Sequence, residues 1–376
     1  VTTSLERPQW IRTLAAAGRP WLTLALVCGL FSLSAEFRSA FWQTSYLPTL
    51  LQQSARNIVL AVGMSFVILT GGIDLSVGSV LALCGVSLAM GLKGELPTWL
   101  AFLAALPIAV LAAWQAWRAS ARLDAAPRNA VSMLTFVAVL AVCGILVAHG
   151  AAGGLRVEGA IVLALLIGMA CGLINGLVVS LGRVPSFVVT LGMLSAARGL
   201  TLYATDGNSI PAAYPRLMAL GQGNPLVVIT LLVVVAGAIL LNRTRAGRNI
   251  LAIGGNEQAS FLTGVDVPRY KTLVYMLGGL TAAIAALLAT AKFGTASTDA
   301  GNGAELEAIA AVVIGGTSLS GGQGSIVGAL VGALTITVIE AGLVLVGIKD
   351  TLQPVILGGV IVLTVFVDQL RRKSRG

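Results

Sequence analysis

The sequence predicts an all-α, polytopic membrane protein of about ten to twelve transmembrane helices, on composition, the length of its apolar runs and the placement of its basic residues. Of 376 residues, 57% are hydrophobic and only 10% charged, with a mean hydropathy of +0.93, which excludes a water-soluble catalytic domain. The apolar runs are about 20 residues long, as a membrane-crossing helix requires, whereas a β-barrel would show alternating segments of about 10.

In chain order the runs predict spans over 21–35, 48–70, 75–92, 97–117, 130–149, 159–181, 185–204, 225–242, 272–291, 304–318, 323–346 and 352–370. Two of them, 48–70 and 304–318, are interrupted or short and are expected to be re-entrant. The first run ends without a small-residue cleavage site and is expected to be a retained helix rather than a signal peptide. The whole of 1–376 reads as a single transmembrane domain.

Lys and Arg concentrate in cytoplasmic loops, so their placement fixes orientation. With the amino terminus inside, sixteen of the 24 basic residues fall in inside segments and six in outside loops, leaving Arg56 and Arg198 within spans. Both termini are therefore expected in the cytoplasm. The net charge of +9 reflects this topology and contact with anionic lipid, and no nucleic-acid partner is expected. Cys28, Cys84, Cys143 and Cys171 lie in apolar spans without metal-ligand spacing and read as packing thiols. The only histidine is His149, so neither a metal site nor a histidine-based catalytic centre is expected.

Arg243–Lys271 is a basic island between long apolar runs, on the cytoplasmic side in this orientation. Asn256 is placed to cap a short helix whose first turn carries Glu257 and Gln258, and Gly264 ends it. Ala259 and Leu262 share one face, and Phe261 and Val265 an adjacent one, giving about two half-apolar turns. The island reads as a docking surface, with a solvated loop as the alternative.

Glycine recurs every fourth residue at Gly168, Gly172 and Gly176, and again at Gly324, Gly328 and Gly332. Such ladders let helix backbones approach closely, within one subunit or at a subunit interface. Polar residues within spans are costly and mark a transport path: Arg56, Asn57, Asp74, Ser76, Asn175, Arg198, Glu305, Glu307 and Glu340. Asp74 also suits a helix cap, and Glu305 and Glu307 suit a helix amino terminus. Gly71–Gly72 and the run from Gly315 to Ser325 predict helix breaks at membrane depth.

Four segments in order, GGIDLSVGS from Gly71, NGLVVSLGRVPSFVVTLGM from Asn175, GRNILAIGGNEQASFLTGV from Gly247 and ELEAIAAVVIGGTSLSGGQGS from Glu305, resemble the permease subunits of bacterial ABC importers for monosaccharides. The resemblance covers roughly residues 45 to 370. The chain departs from the ribose-type pattern by an extra two-helix stretch over 93–157, which resembles the D-xylose type and makes xylose the first expectation for substrate.

The resemblance implies a multi-pass subunit of the bacterial inner membrane. Its implied partners are a second permease copy, forming a homodimer, a cytoplasmic ABC ATPase dimer and a periplasmic sugar-binding protein. The 243–271 segment matches the family's coupling loop, with Arg248, Gly254, Gly255, Asn256, Glu257, Ala259, Leu262 and Gly264 on the ATPase side. ATP and Mg are implied on the partner ATPase, because none of the five lysines lies in a phosphate-binding loop and this chain is expected to bind no cofactor. Alternating access, driven by closure of the ATPases, is the implied mechanism. Another cargo, a nucleoside or branched-chain amino acid, and an ion-coupled secondary transporter are the alternatives.

Overall fold

The computed structural model describes residues 9–120, 125–151 and 153–373. Among the described residues the helices are α1 (Gln9–Phe31), α2 (Ala35–Phe41), α3 (Tyr46–Leu69), α4 (Val77–Lys93), α5 (Thr98–Ala119), α6 (Ala125–Ala151), α7 (Val157–Ser180) and α8 (Ser186–Thr205). There follow α9 (Pro215–Met218), α10 (Gly223–Arg243), α11 (Arg245–Gly255), α12 (Glu257–Leu262), α13 (Val267–Phe293), α14 (Ala304–Ile314), α15 (Ile326–Leu345) and α16 (Gln353–Lys373). The strands β1 (Ile210–Pro211) and β2 (Thr295–Ala296) pair antiparallel, Ile210 opposite Ala296.

Each of the twelve predicted spans falls on a helix. Among the described residues seven helices are long and apolar enough to cross a membrane: α5, α6, α7, α8, α10, α13 and α15. The all-α, polytopic fold class holds. The region 48–70 is not interrupted: α3 runs unbroken from Tyr46 to Leu69. Gln52, Gln53, Arg56 and Asn57 lower its hydropathy without breaking its backbone ladder, because a polar side chain on a helix costs solvation, not helical geometry. The region 304–318 does shorten, to the 11 residues of α14. That is about 16 Å of helix against a hydrocarbon core of about 30 Å.

The chain forms two compact units, Val1–Gly72 with Val227–Val267 and Leu306–Gly376, and Ile73–Leu226 with Pro268–Glu305. In the first unit α3 and α1 both pack on α15. From Asn57 to Leu69 every residue of α3 is buried. α2 was not foreseen. Ser34 caps it, its hydroxyl accepting from Phe37 N at 3.3 Å, and Phe37 is wholly buried. The rings of Phe31, Phe37 and Phe41 stack in series, at 5.4 and 4.3 Å between centroids. Burial of such a cluster holds a helix too short to persist alone.

The second unit is built around α4, buried at every position from Val77 to Leu92 and packed by α7 and α8. A helix apolar on all sides belongs at such a centre. The 93–157 stretch folds mainly as the hairpin α5–α6, attached to α7 through α5. Only 6% of the α6 span is buried, so it is the outermost of these helices.

The two glycine ladders are used within the chain. A Cβ on Gly168 or Gly172 would strike the carbonyl oxygens of Gly279 and Tyr275, and one on Gly176 would lie 2.6 Å from Thr272 Cα, so α7 meets α13 backbone to backbone. On α15, Gly328 and Gly332 meet the carbonyls of Gly315 and Ala311, and Gly324 meets the Thr317 side chain. Where lipid supplies no hydrophobic drive between helices, this close contact holds them together.

Candidate functional site

The island is two helices rather than one. Thr244 caps α11, its hydroxyl accepting from Gly247 N at 3.1 Å, and Ile250 and Ile253 are buried beneath it. The last turn of α11 is seated without side chains. A Cβ on Gly254 would run into Leu69 O, at the end of α3, and the amide of Gly322. Gly322 N itself donates to Leu69 O at 3.0 Å. Gly321 and Gly322 have φ of +85° and +75°, a left-handed region in which a side chain is strained, so the turn that reaches this junction needs glycine.

α12 follows. Asn256 Oδ1 accepts from Ala259 N at 2.9 Å, and Ser260 Oγ donates to Asn256 O at 2.8 Å, which fixes the first turn. Gly264 has φ of +87°, and Val265 N donates back to Ser260 O at 3.1 Å. This double closure is a glycine stop of the kind that satisfies terminal carbonyls. Ser260 faces inward, while Glu257, Gln258, Ala259, Phe261 and Leu262 are exposed. Phe261 is 65% and Leu262 77% exposed, so two large apolar side chains stand on a helix capped at both ends. Arg248 is exposed on α11, and Gly255 has open space around it. Leu262 but not Phe261 is among the residues that match the coupling loop, yet both side chains are exposed on α12.

The polar residues of the spans separate into two groups. In the second unit, Ser76 N and Ser76 Oγ both donate to Asp74 Oδ1, at 2.8 and 2.6 Å, and Asn175 Nδ2 donates to Ser76 Oγ at 3.0 Å. Asp74, Ser76 and Asn175 are each 1% exposed. The backbone beside them is also satisfied: Ile73 N donates to Ser186 Oγ, and Thr190 Oγ1 to Ile73 O, each at 3.2 Å. The helix break predicted here is thus closed by hydroxyls of α8. α4 begins at Val77, so Asp74 does not cap it directly but organises the turn two residues ahead.

Glu305 is half-buried in the same unit, its carboxylate against Gly78 of α4. Arg198 donates to the carbonyls of Thr298 and Ala300 and holds the chain after β2. In the first unit Arg56 Nη2 donates to Glu307 Oε2 at 3.0 Å and Arg56 Nε to Asn57 Oδ1 at 3.1 Å. Asn57 is buried, and Glu307 half-buried.

Helices able to span a bilayer, with glycine-lined breaks between them, fit a polytopic permease. The chain belongs to the family described as branched-chain amino acid transport system / permease component, which matches residues 130–365. It is 34% identical over 367 residues to a ribose import permease protein of Escherichia coli (strain K12), an alignment covering 94% of this chain and 96% of that one. It is 32% identical over 357 residues to a D-allose transport system permease protein of the same strain, covering 93% and 90%. To a xylose transport system permease protein of Haemophilus influenzae it is 30% identical over 376 residues, covering 94% and 96%. No solved structure matches the chain. The resemblance to monosaccharide ABC-importer permeases holds, but identity gives xylose no preference over ribose or allose.

Proposed function

We infer that this chain is the membrane-spanning subunit of an ATP-driven, binding-protein-dependent importer of a neutral monosaccharide. Ribose, allose and xylose, the sugars named for its relatives, are the first to assay. The chain hydrolyses nothing itself. ATP and Mg bind on a cytoplasmic ATPase dimer, a second copy of the permease completes the pathway, and a periplasmic binding protein delivers the sugar across the bacterial inner membrane. Both termini lie in the cytoplasm.

The observation that carries this reading is α12, with Phe261 and Leu262 exposed beside Glu257 and its last turn stopped at Gly264. An apolar pair on a short, capped helix suits a shallow groove on a partner. Because Gly254 locks the preceding turn to Leu69 O, a push on α12 reaches the end of α3, and ATP-driven closure then acts as differential binding of two permease conformations.

The deciding experiment is capture of the ATPase. A tagged permease extracted in mild detergent is expected to bring down a P-loop ATPase in equal stoichiometry. Glu257→Lys is expected to lose it while membrane insertion is kept, since the change reverses charge on the contact face. A chain that purifies alone and moves sugar down an ion gradient would instead be a secondary carrier.

A further inference from the structure

Charged side chains between apolar helices are expensive, and their arrangement shows what they serve. In the first unit Arg56 of α3, Glu307 of α14 and Glu340 of α15 converge. Arg56 binds Glu307 and Asn57. Glu340 lies within electrostatic reach of both Arg56 and Glu307 but makes no hydrogen bond or ion pair among the described residues. A structural latch needs one acid for one guanidinium; the second carboxyl, set between helices with no partner, is what a latch leaves unexplained. Nor is the pair sealed, since the Arg56 and Glu307 side chains are 38% and 19% exposed.

The depth of the cluster follows from the helices. Gly322 N bonds Leu69 O, so the end of α3 and the turn leading into α15 meet. Arg56 lies thirteen residues before Leu69, and Glu340 fourteen after Ile326. At 1.5 Å per residue both stand about 20 Å from that meeting point, level with one another.

We propose that Arg56, Glu307 and Glu340, with Asn57, form a hydroxyl-binding station for a monosaccharide inside the permease. The proposal rests on the import reading above. The guanidinium only donates and the carboxylates only accept, whereas a sugar hydroxyl does both; adjacent hydroxyls therefore bridge a donor to an acceptor, as this fork presents them. A metal cation would be repelled by Arg56 and an anion by the two glutamates. A neutral polyol meets neither repulsion, so the mixed set selects by charge as well as by shape.

The test uses the complete importer, this chain with its ATPase and binding protein, in liposomes, with D-ribose and 2-deoxy-D-ribose as probes. Uptake of each is measured for wild type, Arg56→Lys, Glu307→Gln and Glu340→Gln at matched amounts of assembled complex. The expected result is a fall of about tenfold in the ribose-to-deoxyribose ratio for Glu340→Gln, the worth of one lost hydroxyl contact. Arg56→Lys, which keeps the charge and loses the fork, is expected to lower it as well. Uptake of both sugars falling by one common factor, or an unchanged ratio, overturns the station and leaves the import reading standing. A wild-type complex that imports neither these sugars nor allose and xylose overturns the import reading, and the station with it.

Discussion

Asp74, Ser76 and Asn175 are each 1% exposed and joined to one another by hydrogen bonds, whereas Arg56 and Glu307 are partly open and leave Glu340 beside them without a bond. From the sequence the two groups look alike: polar residues in or beside apolar runs. In the fold the first is bonded side chain to side chain and to the backbone of its own turn, with Asn175 Oδ1 left without a partner among the described residues, while in the second Glu340 makes no hydrogen bond among them. The extent of side-chain hydrogen bonding, more than charge alone, therefore distinguishes the two groups.

Asp74→Ala breaks this comparison hardest. It removes the acceptor for Ser76 N and Ser76 Oγ, both buried, and is expected to cost about 3 kcal/mol of stability. Folded yield and sugar uptake should then drop together; uptake lost at undiminished yield would place Asp74 on the transport path. Next is Arg56→Glu, which places a third carboxyl in the open cluster at a cost of about 2 kcal/mol, discounted for its partial exposure. Adding Glu307→Arg restores an ion pair and is expected to recover most of the thermal stability without the sugar discrimination. A swap that regains both would make the pair a latch.

Smaller effects sharpen the contrast. Asn175→Leu loses one bond at the edge of the closed cluster, roughly 1 kcal/mol, and should lower the melting temperature by about 2 °C. Phe261→Ala on exposed α12 is expected to change stability by less than about 0.5 kcal/mol while weakening ATPase capture. If its melting point fell as far as that of Asn175→Leu, Phe261 would be packed against this chain instead of waiting for a partner.

The sequence was most readable where local rules decide. Apolar runs placed all twelve spans on helices, and Asn256 and Gly264 fixed α12 to within a residue, because capping and glycine stops act over three or four positions. It was least readable where distant segments meet. Arg56 and Glu307 are 251 residues apart, and Ile210 pairs with Ala296 across an intervening run of helices. The four-residue glycine period shows that Gly168, Gly172 and Gly176 share a face; that α13 covers that face is a property of the fold. α2 escaped notice because its stability comes from Phe31 and Phe41 around Phe37, a tertiary cluster rather than a local propensity. Asp74 was misplaced as a direct cap by a shift of the α4 start to Val77.

The contact of Gly254 with Leu69 O and Gly322 carries a mechanical consequence. Side-chain packing yields, since rotamers can change and take up a displacement before it travels. Here main chain rests on main chain, with no rotamer to spend, so the joint has little compliance. A displacement carried by α11 would therefore reach the base of α3 and the turn before α15 with little absorbed on the way. For a partner docked on α12, stroke length rather than added binding strength would then be the quantity to supply.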